Sequence, residues 1–517
     1  MNRLILLKGA TPLFFIALAL LYFAILPKAR AVIPSPDGGY PGFNTAEGQN
    51  ALFSLTTGSA NTAIGWLSLR NITTGGFNTA VGAGTLLFNT ADENTAVGAA
   101  TLLFNTTGAN NTAIGSAALL NNTEGYVNTA VGASALSNNT TGFANTAIGF
   151  VSLNSNTTGD QNTAIGVGAL LDNTEGERNT ASGWGALNSN TTGSSNTATG
   201  ASALSRNTEG NSNTASGTGA LFSNTTGSSN TASGDGALST NTEGNFNTAS
   251  GTGALFSNIT GGGNTAVGSL ALNENTTGSN NIAVGNGALL RNTTGMQNTA
   301  LGDAALANSV SGNANVALGI FAGTGVTTAE NVICIGTDGA NVSDSCYIGN
   351  IFGETSASGA AVYVNSNHRL GTLTSSRRFK DDIKPMERIS EALFALKPVT
   401  FRYKKELDPS GMQRFGLVAE DVEKISPDLV VRDKEGKAYS VRYEQVNAML
   451  LNEFLKEHRT VQEQKATVAE LTSILEKQEA TNARQQKQIE ALVKDLQKVS
   501  VQFKAIKLPP QLVNNVY

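Results

Sequence analysis

The sequence predicts a mainly β protein: a repetitive β-roll or β-solenoid shaft, then a small α+β domain, then a long C-terminal helix that forms a coiled coil. Three observations predict this fold class. A unit of 17 residues recurs from Asn44 to Asn315, and a fixed period of this kind marks stacked repeat architectures. Charged residues are scarce before residue 375 and dense after it, and apolar residues follow a heptad spacing from Phe454 onward.

The N-terminus has the pattern of an export signal. Two basic residues, Arg3 and Lys8, precede an apolar run over 13–26, and a small-residue A-x-A site ends at Ala31. A basic region, an apolar region of this length and such a site are typical of a secretory signal peptide. The run is shorter than the roughly 20 residues that a spanning helix needs. The sequence therefore predicts a signal peptide over 1–31 that is cleaved after Ala31.

The repeats are predicted over 44–330, after a linker over 32–43. The unit approximates N-T-A-[VIS]-G-x-x-A-L-x-x-N-T-T-G-x-x. Its leading Asn falls at positions 44, 61, 78, 94, 111, 128, 145, 162, 179, 196, 213, 230, 247, 264, 281, 298 and 315. Every step is 17 residues except one of 16, between Asn78 and Asn94. Gly recurs four places after the Asn in all seventeen units, and Leu recurs eight places after it in the first sixteen.

Each unit is predicted to consist of short strands joined by tight turns. Gly, Asn and Thr recur at positions that would break a helix. The Thr-Ala-Val-Gly and Ala-Leu stretches are therefore interpreted as strands, and Asn-Thr-Thr-Gly as a turn. Stacked at about 4.7 Å per turn, sixteen steps give a rod on the order of 75 Å long. The expected core is thin and consists of Ala, Val or Ile, and Leu, with Asn side chains forming ladders.

Five consecutive units depart from this pattern, because a hydroxyl residue replaces the aliphatic residue after Ala. These residues are Ser182, Thr199, Ser216, Ser233 and Ser250. A buried hydroxyl needs a hydrogen-bond partner. The five turns are therefore expected to be polar inside or to be held by neighbouring chains.

The N-x-A-x-G turns resemble the head repeats of trimeric autotransporter adhesins, which stack as left-handed β-rolls. The heads of that family have a shorter repeat. The resemblance implies an adhesive surface with an unknown surface or host ligand. Two alternatives come from the residues themselves. The shaft is either a structural spacer or an ice-binding face, since Thr45, Thr62, Thr79 and their successors form a regular column.

A neck is predicted over 331–374, where the repeat decays. If the two Ile-Gly pairs of this segment stack on each other, Cys334 and Cys346 point to opposite faces of the strand pair. Export permits a disulfide, but this register disfavours one, so two buried free thiols are expected. A further strand is predicted over 361–364.

The composition excludes several functions. The chain has only two Cys and two His, His368 and His458, and their positions lack zinc-finger spacing. A formal net charge of −5 argues against nucleic-acid binding, since phosphate neutralisation needs a basic face. No metal, no small-molecule cofactor and no nucleic-acid partner is therefore expected.

The charge density changes near residue 375. Residues 375–517 hold 25 Lys and Arg and 21 Asp and Glu, out of 73 charged residues in the chain. The boundary carries the sequence S-S-R-R-F-K-D-D-I from Ser375. Three blocks follow in order: A-L-F-A-L-K-P-V-T-F-R-Y over 392–403, predicted to be a helix that leads into a strand, F-G-L-V-A-E-D-V-E over 415–423, and V-R-Y-E-Q-V-N-A-M-L-L over 441–451.

These three blocks, in this order, resemble the intramolecular chaperone domain of phage endosialidase tailspikes and of myelin regulatory factor, a self-cleaving peptidase family. The resemblance covers about 375–460, and the domain is placed over 375–453. In that family a Ser and a Lys five residues later form a dyad that cuts the chain just before the Ser. The resemblance therefore implies a single-turnover endopeptidase that acts on its own chain.

Carried over to this sequence, Ser375 is the nucleophile, Lys380 is the general base, and the scissile bond joins Thr374 to Ser375. The Lys must be neutral to accept the hydroxyl proton. Burial or a neighbouring cation, such as Arg377 or Arg378, favours the neutral form.

Ser376 departs from the family pattern, which has an acidic residue after the nucleophile. Ser376 is also the alternative nucleophile, four residues before Lys380. In the family the site forms only once three chains have assembled. The resemblance therefore implies a homotrimer in which cleavage reports correct folding. A folded but uncut domain is the alternative.

Two heptad series run without a slip over 454–508 and predict a parallel coiled coil. The a positions are Phe454, Val461, Val468, Leu475, Asn482, Ile489, Leu496 and Phe503. The d positions are Glu457, Gln464, Leu471, Gln478, Gln485, Leu492, Val499 and Ile506. The heptads do not choose between two and three strands, and the family resemblance implies three. A single amphipathic helix folded back on its own domain is the alternative. A short tail over 509–517 begins with two Pro.

Together these elements predict an exported homotrimeric fibre or adhesin-like protein. Its C-terminal intramolecular chaperone drives trimer assembly and then releases itself by a cut before Ser375. One alternative is an uncleaved surface adhesin or structural fibre that keeps the C-terminal domain as a trimerisation stalk. The other alternative is an ice-binding solenoid. The protein is predicted to be secreted or displayed at the cell surface. The alternative is anchoring to the membrane through an uncleaved segment over 4–26.

Overall fold

The computed structural model describes residues 40–505 except 355, 357, 358, 366, 367 and 434. The chain divides into two compact units, 1–354 and 355–517. Several predicted segments lie outside the described residues: the signal over 1–31, the anchor over 4–26, the linker up to residue 39, the coiled coil from Ile506 and the tail over 509–517. Between residues 40 and 505, none of the described helices is long and apolar enough to cross a membrane.

The first unit is a parallel β-solenoid of nineteen short strands, each of three residues, in one sheet. The strands are β1 (Thr45–Glu47), β2 (Thr62–Ile64), β3 (Thr79–Val81), β4 (Thr95–Val97), β5 (Thr112–Ile114), β6 (Thr129–Val131), β7 (Thr146–Ile148), β8 (Thr163–Ile165), β9 (Thr180–Ser182), β10 (Thr197–Thr199), β11 (Thr214–Ser216), β12 (Thr231–Ser233), β13 (Thr248–Ser250), β14 (Thr265–Val267), β15 (Ile282–Val284), β16 (Thr299–Leu301), β17 (Val316–Leu318), β18 (Ile333–Ile335) and β19 (Cys346–Ile348). Each strand pairs in parallel with the strand of the next turn, Thr beside Thr and Ala beside Ala in most turns. The predicted fold class, mainly β with a repetitive solenoid, is confirmed.

The single 16-residue step does not disturb this stack. Thr79 lies beside Thr95 like every other pair of leading threonines. The missing residue falls between Asn89 and Asn94, where the next unit has one residue more between Asn105 and Asn111. The turn therefore absorbs the deletion and the strand register is kept.

Each strand of the repeats turns one side chain inward and two outward. The central Ala is buried in every strand from β1 to β17, because side chains alternate along an extended chain. The residues before and after it face outward, and Ile114 and Ile148 keep 42% and 40% of their surface exposed. The prediction that Val and Ile belong to the core is therefore wrong. For the same reason the five hydroxyl residues after Ala, such as Thr199, lie at the surface.

The Ala-Leu stretch forms a turn and not the second strand that the sequence predicted. The Leu is buried in all sixteen units from Leu52 to Leu306, and its φ is about +50° throughout. A left-handed conformation costs about 1–2 kcal/mol for a residue with a Cβ, and burial of a Leu side chain contributes about 1.5–3 kcal/mol in return. Backbone bonds still run between turns here, since the Leu187 N–H donates to the Ala203 carbonyl at 2.9 Å.

Two features require Gly at the position that follows each strand: its positive φ and its close contact with the backbone of the next turn. Gly217 has a φ of +136°, and a Cβ there would lie 2.5 Å from the carbonyl oxygen of Gly234, its counterpart in the next turn. Gly219 has a φ of +62°, but a Cβ there would meet nothing within 4 Å. Ala100 and Ser134 occupy the equivalent place in other turns. Only the first of these two glycines is therefore required by the fold.

The leading Asn of each unit belongs to a buried ladder. The Asn179 Oδ1 accepts a hydrogen bond of 3.0 Å from the backbone N–H of Asn196, and the Asn179 Nδ2 donates to the Gly193 carbonyl at 2.8 Å. The Oδ1 bond recurs at 2.8–3.0 Å from Asn44 to Asn315. Each side chain thus satisfies a buried backbone donor and a buried backbone acceptor.

A second ladder joins side-chain amides directly, and a third joins hydroxyls to the backbone. The Asn eleven places after the leading Asn donates its Nδ2 to the Oδ1 of the preceding turn, at 2.6–2.8 Å from Asn89 to Asn292. The Thr after it donates to the carbonyl of the next turn, as Thr191 does to Thr208 at 2.9 Å. The predicted Asn ladders are confirmed, and the Thr ladder adds a role for the Thr in Asn-Thr-Thr-Gly.

Other residues occupy the second ladder's position at both ends of the solenoid. Leu55 and Ile72 stand there in the first two turns and Ser309 and Val326 in the last two, and Ile72 and Val326 are fully buried. Among the described residues, the Asn292 Oδ1 and the Ser309 Oγ are buried without a hydrogen-bond partner. An unpaired amide is costly in a core. Apolar residues therefore suit the turns at the two ends of the ladder, where an Asn would lack a partner on one side.

The sheet continues into the predicted neck through β18 and β19. Cys334 lies beside Tyr347 and Ile333 lies beside Cys346, in the register that the sequence predicted. Both cysteines are free. Cys334 is buried, and burial raises the pKa of its thiol. Cys346 is exposed, so the expectation of two buried thiols is wrong for Cys346, because the alternation along the strand turns it outward.

In its described residues, the second unit contains three antiparallel hairpins, two α-helices and three 3-10 helices. The hairpins are β20 (Val362–Val364) with β21 (Leu370–Thr372), β22 (Val399–Phe401) with β23 (Arg414–Gly416), and β24 (Val430–Arg432) with β25 (Ala438–Val441). The α-helices are α1 (Ala419–Ile425) and α2 (Tyr443–Ala505), and the 3-10 helices are Arg377–Phe379, Ile389–Ala395 and Pro427–Leu429. The predicted helix that leads into a strand is thus a 3-10 helix followed by β22. The buried core is small: Val422, Leu429, Val430, Val441, Val446 and Met449.

Helix α2 is one unbroken helix of 63 residues. Its first turns pack on the small core through Val446 and Met449, which are its buried residues. From Glu457 to its end, every residue except Val461 is exposed. The alternative in which the helix folds back on its own domain is therefore wrong.

Candidate functional site

The predicted cleavage segment is built around a single 3-10 turn. Ser376 precedes the turn with an extended backbone, and Lys380 follows it, also extended. Two backbone bonds close the turn: the Phe379 N–H donates to the Ser376 carbonyl and the Lys380 N–H donates to the Arg377 carbonyl, both at 3.1 Å. The Ser376 N–H also donates to the Thr374 Oγ1 at 3.4 Å.

The turn shortens the distance along the backbone between the two predicted catalytic residues. Five extended residues would span about 17 Å, whereas three of them in a 3-10 turn reduce this to roughly 12 Å. Ser375 and Lys380 are both exposed. In the described part of the chain, no hydrogen bond joins the Ser375 hydroxyl to the Lys380 amine. The turn therefore shortens the backbone span between the two residues and leaves both side chains in solvent.

The cations of this segment are also exposed. The Arg378 guanidinium lies 4.6 Å from the centroid of the Phe379 ring, and Phe379 keeps 60% of its surface exposed. A cation over an aromatic face is attracted by the ring, so Phe379 orients Arg378. Arg377, Arg378 and Lys380 are thus all exposed to solvent.

The segment before the scissile bond lines a groove of the second unit. Leu370–Leu373 form one wall, with the end of the β20–β21 hairpin. The opposite wall consists of β24 and β25 residues together with Arg442 and Glu444. The predicted cut at Thr374 thus lies next to an open groove.

A second polar cluster ties the domain to α2, and the sequence did not indicate it. The buried Ser390 hydroxyl donates to the Glu453 Oε1 and accepts a bond of 2.6 Å from the Asn452 Nδ2. The Lys456 Nζ lies 2.7 Å from the same Glu453 carboxylate. These hydrogen bonds hold the pKa of Glu453 below its usual range, with the Lys456 bond the largest cause. Sixty-three residues separate Ser390 from Glu453, so no local pattern could have shown the pair.

The predicted coiled-coil residues from Phe454 to Phe503 lie on α2, and most of them are exposed in the single chain. The exposed fraction is 66% for Phe454, 59% for Leu475 and 77% for Phe503. One polar layer is linked within the helix, because the Gln478 Nε2 donates to the Asn482 Oδ1 at 3.0 Å. The heptad positions thus form an apolar stripe that nothing in the described part of this chain covers.

Metal binding has no support in the described residues. No group of three or more His, Cys, Asp or Glu side chains is placed there so that it could hold a metal ion.

Comparison with known proteins identifies the C-terminal domain. Residues 375–431 match the sequence profile of a peptidase family described as chaperone of endosialidase. No curated protein matches the chain, and no solved structure matches it. The match lies in the second unit and begins at Ser375.

Proposed function

We propose that the chain is the precursor of an exported homotrimeric fibre whose C-terminal chaperone domain assembles the trimer and then cuts itself away before Ser375. The observation that carries the proposal is the position of the family match. It begins at Ser375, the residue that becomes the N-terminus of the released domain. A fibre-like protein suits the combination of a β-solenoid and this domain.

Exposed apolar side chains support assembly through the second unit. Phe394, Phe415 and Tyr439 keep 76%, 80% and 75% of their surfaces exposed, in addition to the apolar stripe of α2. Large exposed apolar surfaces mark interaction sites in soluble proteins. In the proposed trimer these surfaces meet their counterparts and remove water from the Ser375–Lys380 segment.

The proposed reaction follows from the position of the nucleophile. The Ser375 Oγ attacks the carbonyl carbon of Thr374 and gives its proton to the neutral Lys380 amine. The C–N bond breaks as Lys380 returns that proton to the Ser375 nitrogen, which leaves an ester between Thr374 and Ser375. Water then hydrolyses the ester, which yields the Thr374 carboxylate and regenerates the hydroxyl of Ser375, whose amine was freed in the preceding step. The reaction needs a neutral Lys. It therefore begins only after assembly buries the Lys380 amine.

Release has a consequence for stability. The shaft loses the domain that assembled it, so it cannot refold once it unfolds, and its lifetime depends on the unfolding barrier. The proposed function is therefore that of a kinetically trapped fibre.

Denaturing gels and intact mass of four proteins test the cut. Wild type and Lys384→Met, which changes an exposed Lys outside the pair, are expected to release residues 375–517. Ser375→Ala and Lys380→Met are expected to remain full length. A full-length chain in all four proteins would contradict the self-cleavage proposal and favour the uncleaved fibre. A product that begins one residue later, and that Ser376→Ala abolishes, would move the nucleophile to Ser376.

The same mass spectrum tests export. A mature chain that begins at Val32 is expected from cleavage after Ala31. Retention of residues 1–31, with the chain in the membrane fraction, would favour the anchor over 4–26.

A further inference from the structure

The outward side of the solenoid sheet differs from the rest of the shaft in its charge. This side, called the sheet face below, consists of the first and third residues of β1 to β19. Glu47 is the single charged residue on it. The other charged residues of the solenoid lie in the turns, for example Glu124, Arg178, Asp235 and Arg291. Beyond β1, the stacked strands therefore present an uncharged surface.

Aliphatic side chains cover much of the sheet face. The third strand residue is Val, Ile or Leu in thirteen of the nineteen strands. Eleven of these keep 37–48% of their surface exposed: Ile64, Val97, Ile114, Ile148, Ile165, Val267, Val284, Leu301, Leu318, Ile335 and Ile348. They lie beside one another at about 4.7 Å intervals. This apolar stripe, interrupted by the hydroxyl residues of β9 to β13, indicates an interface.

The stripe widens toward the C-terminal end of the shaft. Thr occupies the first strand position in most turns, but Ile282, Val316 and Ile333 replace it near the end, with 43%, 39% and 40% of their surfaces exposed. Both outward columns are apolar in these strands. The widest part of the apolar stripe thus lies in the turns that directly precede the second unit in the chain.

The sheet face is large enough for a stable interface. Eighteen steps of about 4.7 Å and a width of about 10 Å give roughly 850 Å² per chain. In a trimer each chain divides this area between two partners, and the three chains together bury roughly 2,550 Å², more than the total of about 1,600 Å² that a standard pairwise interface buries. The sheet face is therefore sufficient without any contribution from the turns.

We propose that three copies of the shaft pack on one another through the sheet face. This inference rests on the proposed trimer and names the surface that holds its shafts together. Rotation about an axis along the shaft places the same turn of each chain at the same height. Aliphatic rows therefore meet aliphatic rows, and the hydroxyl residues of β9 to β13 meet hydroxyl residues. The five polar turns form hydrogen bonds between copies in the middle of the shaft.

Two matched pairs of substitutions in the full-length chain test the inference. Val97→Glu with Ile148→Glu places two charges on the sheet face, and Thr107→Glu with Thr158→Glu places two charges in exposed turns of the same units. Glu already occupies both kinds of position in a single chain, at Glu47 and at Glu124. The expected result is a trimeric released shaft for wild type and the turn variant, and a monomer at micromolar concentration for the sheet-face variant, by sedimentation equilibrium. A trimeric sheet-face variant would overturn the inference.

The natural cysteines supply a second readout that does not depend on a charged variant. Cys346 lies on the sheet face and Cys334 lies in the core. In the wild-type released shaft, a maleimide is expected to label Cys346 at least tenfold more slowly than in the sheet-face variant, while Cys334 stays unlabelled in both. Equal rapid labelling of Cys346 in both proteins would overturn the inference. Unchanged circular dichroism confirms that the sheet-face variant is folded.

The outcomes separate this inference from the proposed function. A chain that is cut before Ser375 and releases a trimeric C-terminal fragment, but separate shafts, overturns the sheet-face inference and leaves the proposed function standing. A chain that is monomeric and uncut overturns both. A monomeric shaft that produces thermal hysteresis overturns the inference in favour of an ice-binding face.

Discussion

The shaft and the second unit bury their apolar residues in opposite ways. In the shaft, the inward Ala and Leu columns have exposed fractions near zero, and the Asn ladders pair the amides among them. Among the described residues of the second unit six apolar side chains are buried, while Phe394 and Phe415 keep 76% and 80% of their surfaces exposed. The shaft therefore completes its core within one chain, whereas the second unit leaves large apolar side chains at its surface.

The most destructive change to the shaft is expected at the Gly after a strand. Gly217→Ala places a Cβ 2.5 Å from the Gly234 carbonyl oxygen and is expected to cost at least about 4 kcal/mol of unfolding free energy. Gly219→Ala is the matched control, since its Cβ meets nothing within 4 Å, and about 1 kcal/mol is expected. Thermal unfolding of both variants measures the difference. Equal melting temperatures would show that the turns do not stack as closely as described.

The second largest effect is expected in the amide ladder. Asn190→Ala leaves the Asn173 Oδ1 without its donor and removes one of the two acceptors of the Asn207 Nδ2, which keeps its bond to the Gly210 carbonyl. A loss of about 3 kcal/mol is expected, because each unpaired buried group costs about 1–3 kcal/mol. Asn211→Ala, at an exposed site, is the control, and about 0.5 kcal/mol is expected there. A loss at Asn190 no larger than the control would break the ladder interpretation.

Substitution of the α2 stripe tests whether the second unit depends on partners. Leu475 and Ile489 keep 59% and 52% of their surfaces exposed in the single chain. If the helices pack in a trimer, Leu475→Ala with Ile489→Ala is expected to cost about 2 kcal/mol at each site and to lower the helix melting temperature. If α2 stands alone, the effect stays within about 0.5 kcal/mol. Glu476→Ala, outside the a and d positions, is the control.

One substitution is expected to stabilise the shaft. Ser309→Asn adds a rung to the second ladder and gives the buried Asn292 Oδ1 a donor that it lacks among the described residues. A gain of about 1 kcal/mol is expected from the new hydrogen bond, measured as a higher melting temperature. Ser311→Asn, at an exposed position two residues later, should leave the melting temperature unchanged. A lower melting temperature for Ser309→Asn would mean that the last turns have no room for the amide.

The smallest expected effect is a pH dependence of the tie between Ser390 and α2. Bonds from Lys456 and Ser390 lower the pKa of Glu453 from its ordinary value of 4.5. A carboxyl with a lowered pKa in the folded state stabilises that state above pH 4.5, and the contribution is lost as the pH falls through the lowered value. Urea unfolding between pH 3 and pH 7 should therefore depend less on pH in Glu453→Gln than in wild type. Identical pH profiles of unfolding for the two proteins would show that the Glu453 carboxylate does not contribute to the stability of the second unit.

The sequence predicted the fold of the shaft more closely than the site. Contacts between turns join residues 17 apart, so the period itself gives the register that pairs Thr62 with Thr79. The site depends on residues far apart in the chain, such as Ser390 and Glu453, and on surfaces that face other chains. Neither relation leaves a periodic pattern in the sequence. The roles predicted for Ser375 and Lys380 therefore depend on the family resemblance.

The sequence by itself determined the stacked turns, the Asn ladders, the opposite faces of the two cysteines and the long heptad helix, because each follows from a spacing along the chain. The tertiary structure decided which way the strands face. It placed Ala inside and Val or Ile outside, since the inward side of a three-residue strand has room for one side chain. It also bent the Ala-Leu stretch into a left-handed turn, because the buried Leu can fill the core only from that conformation.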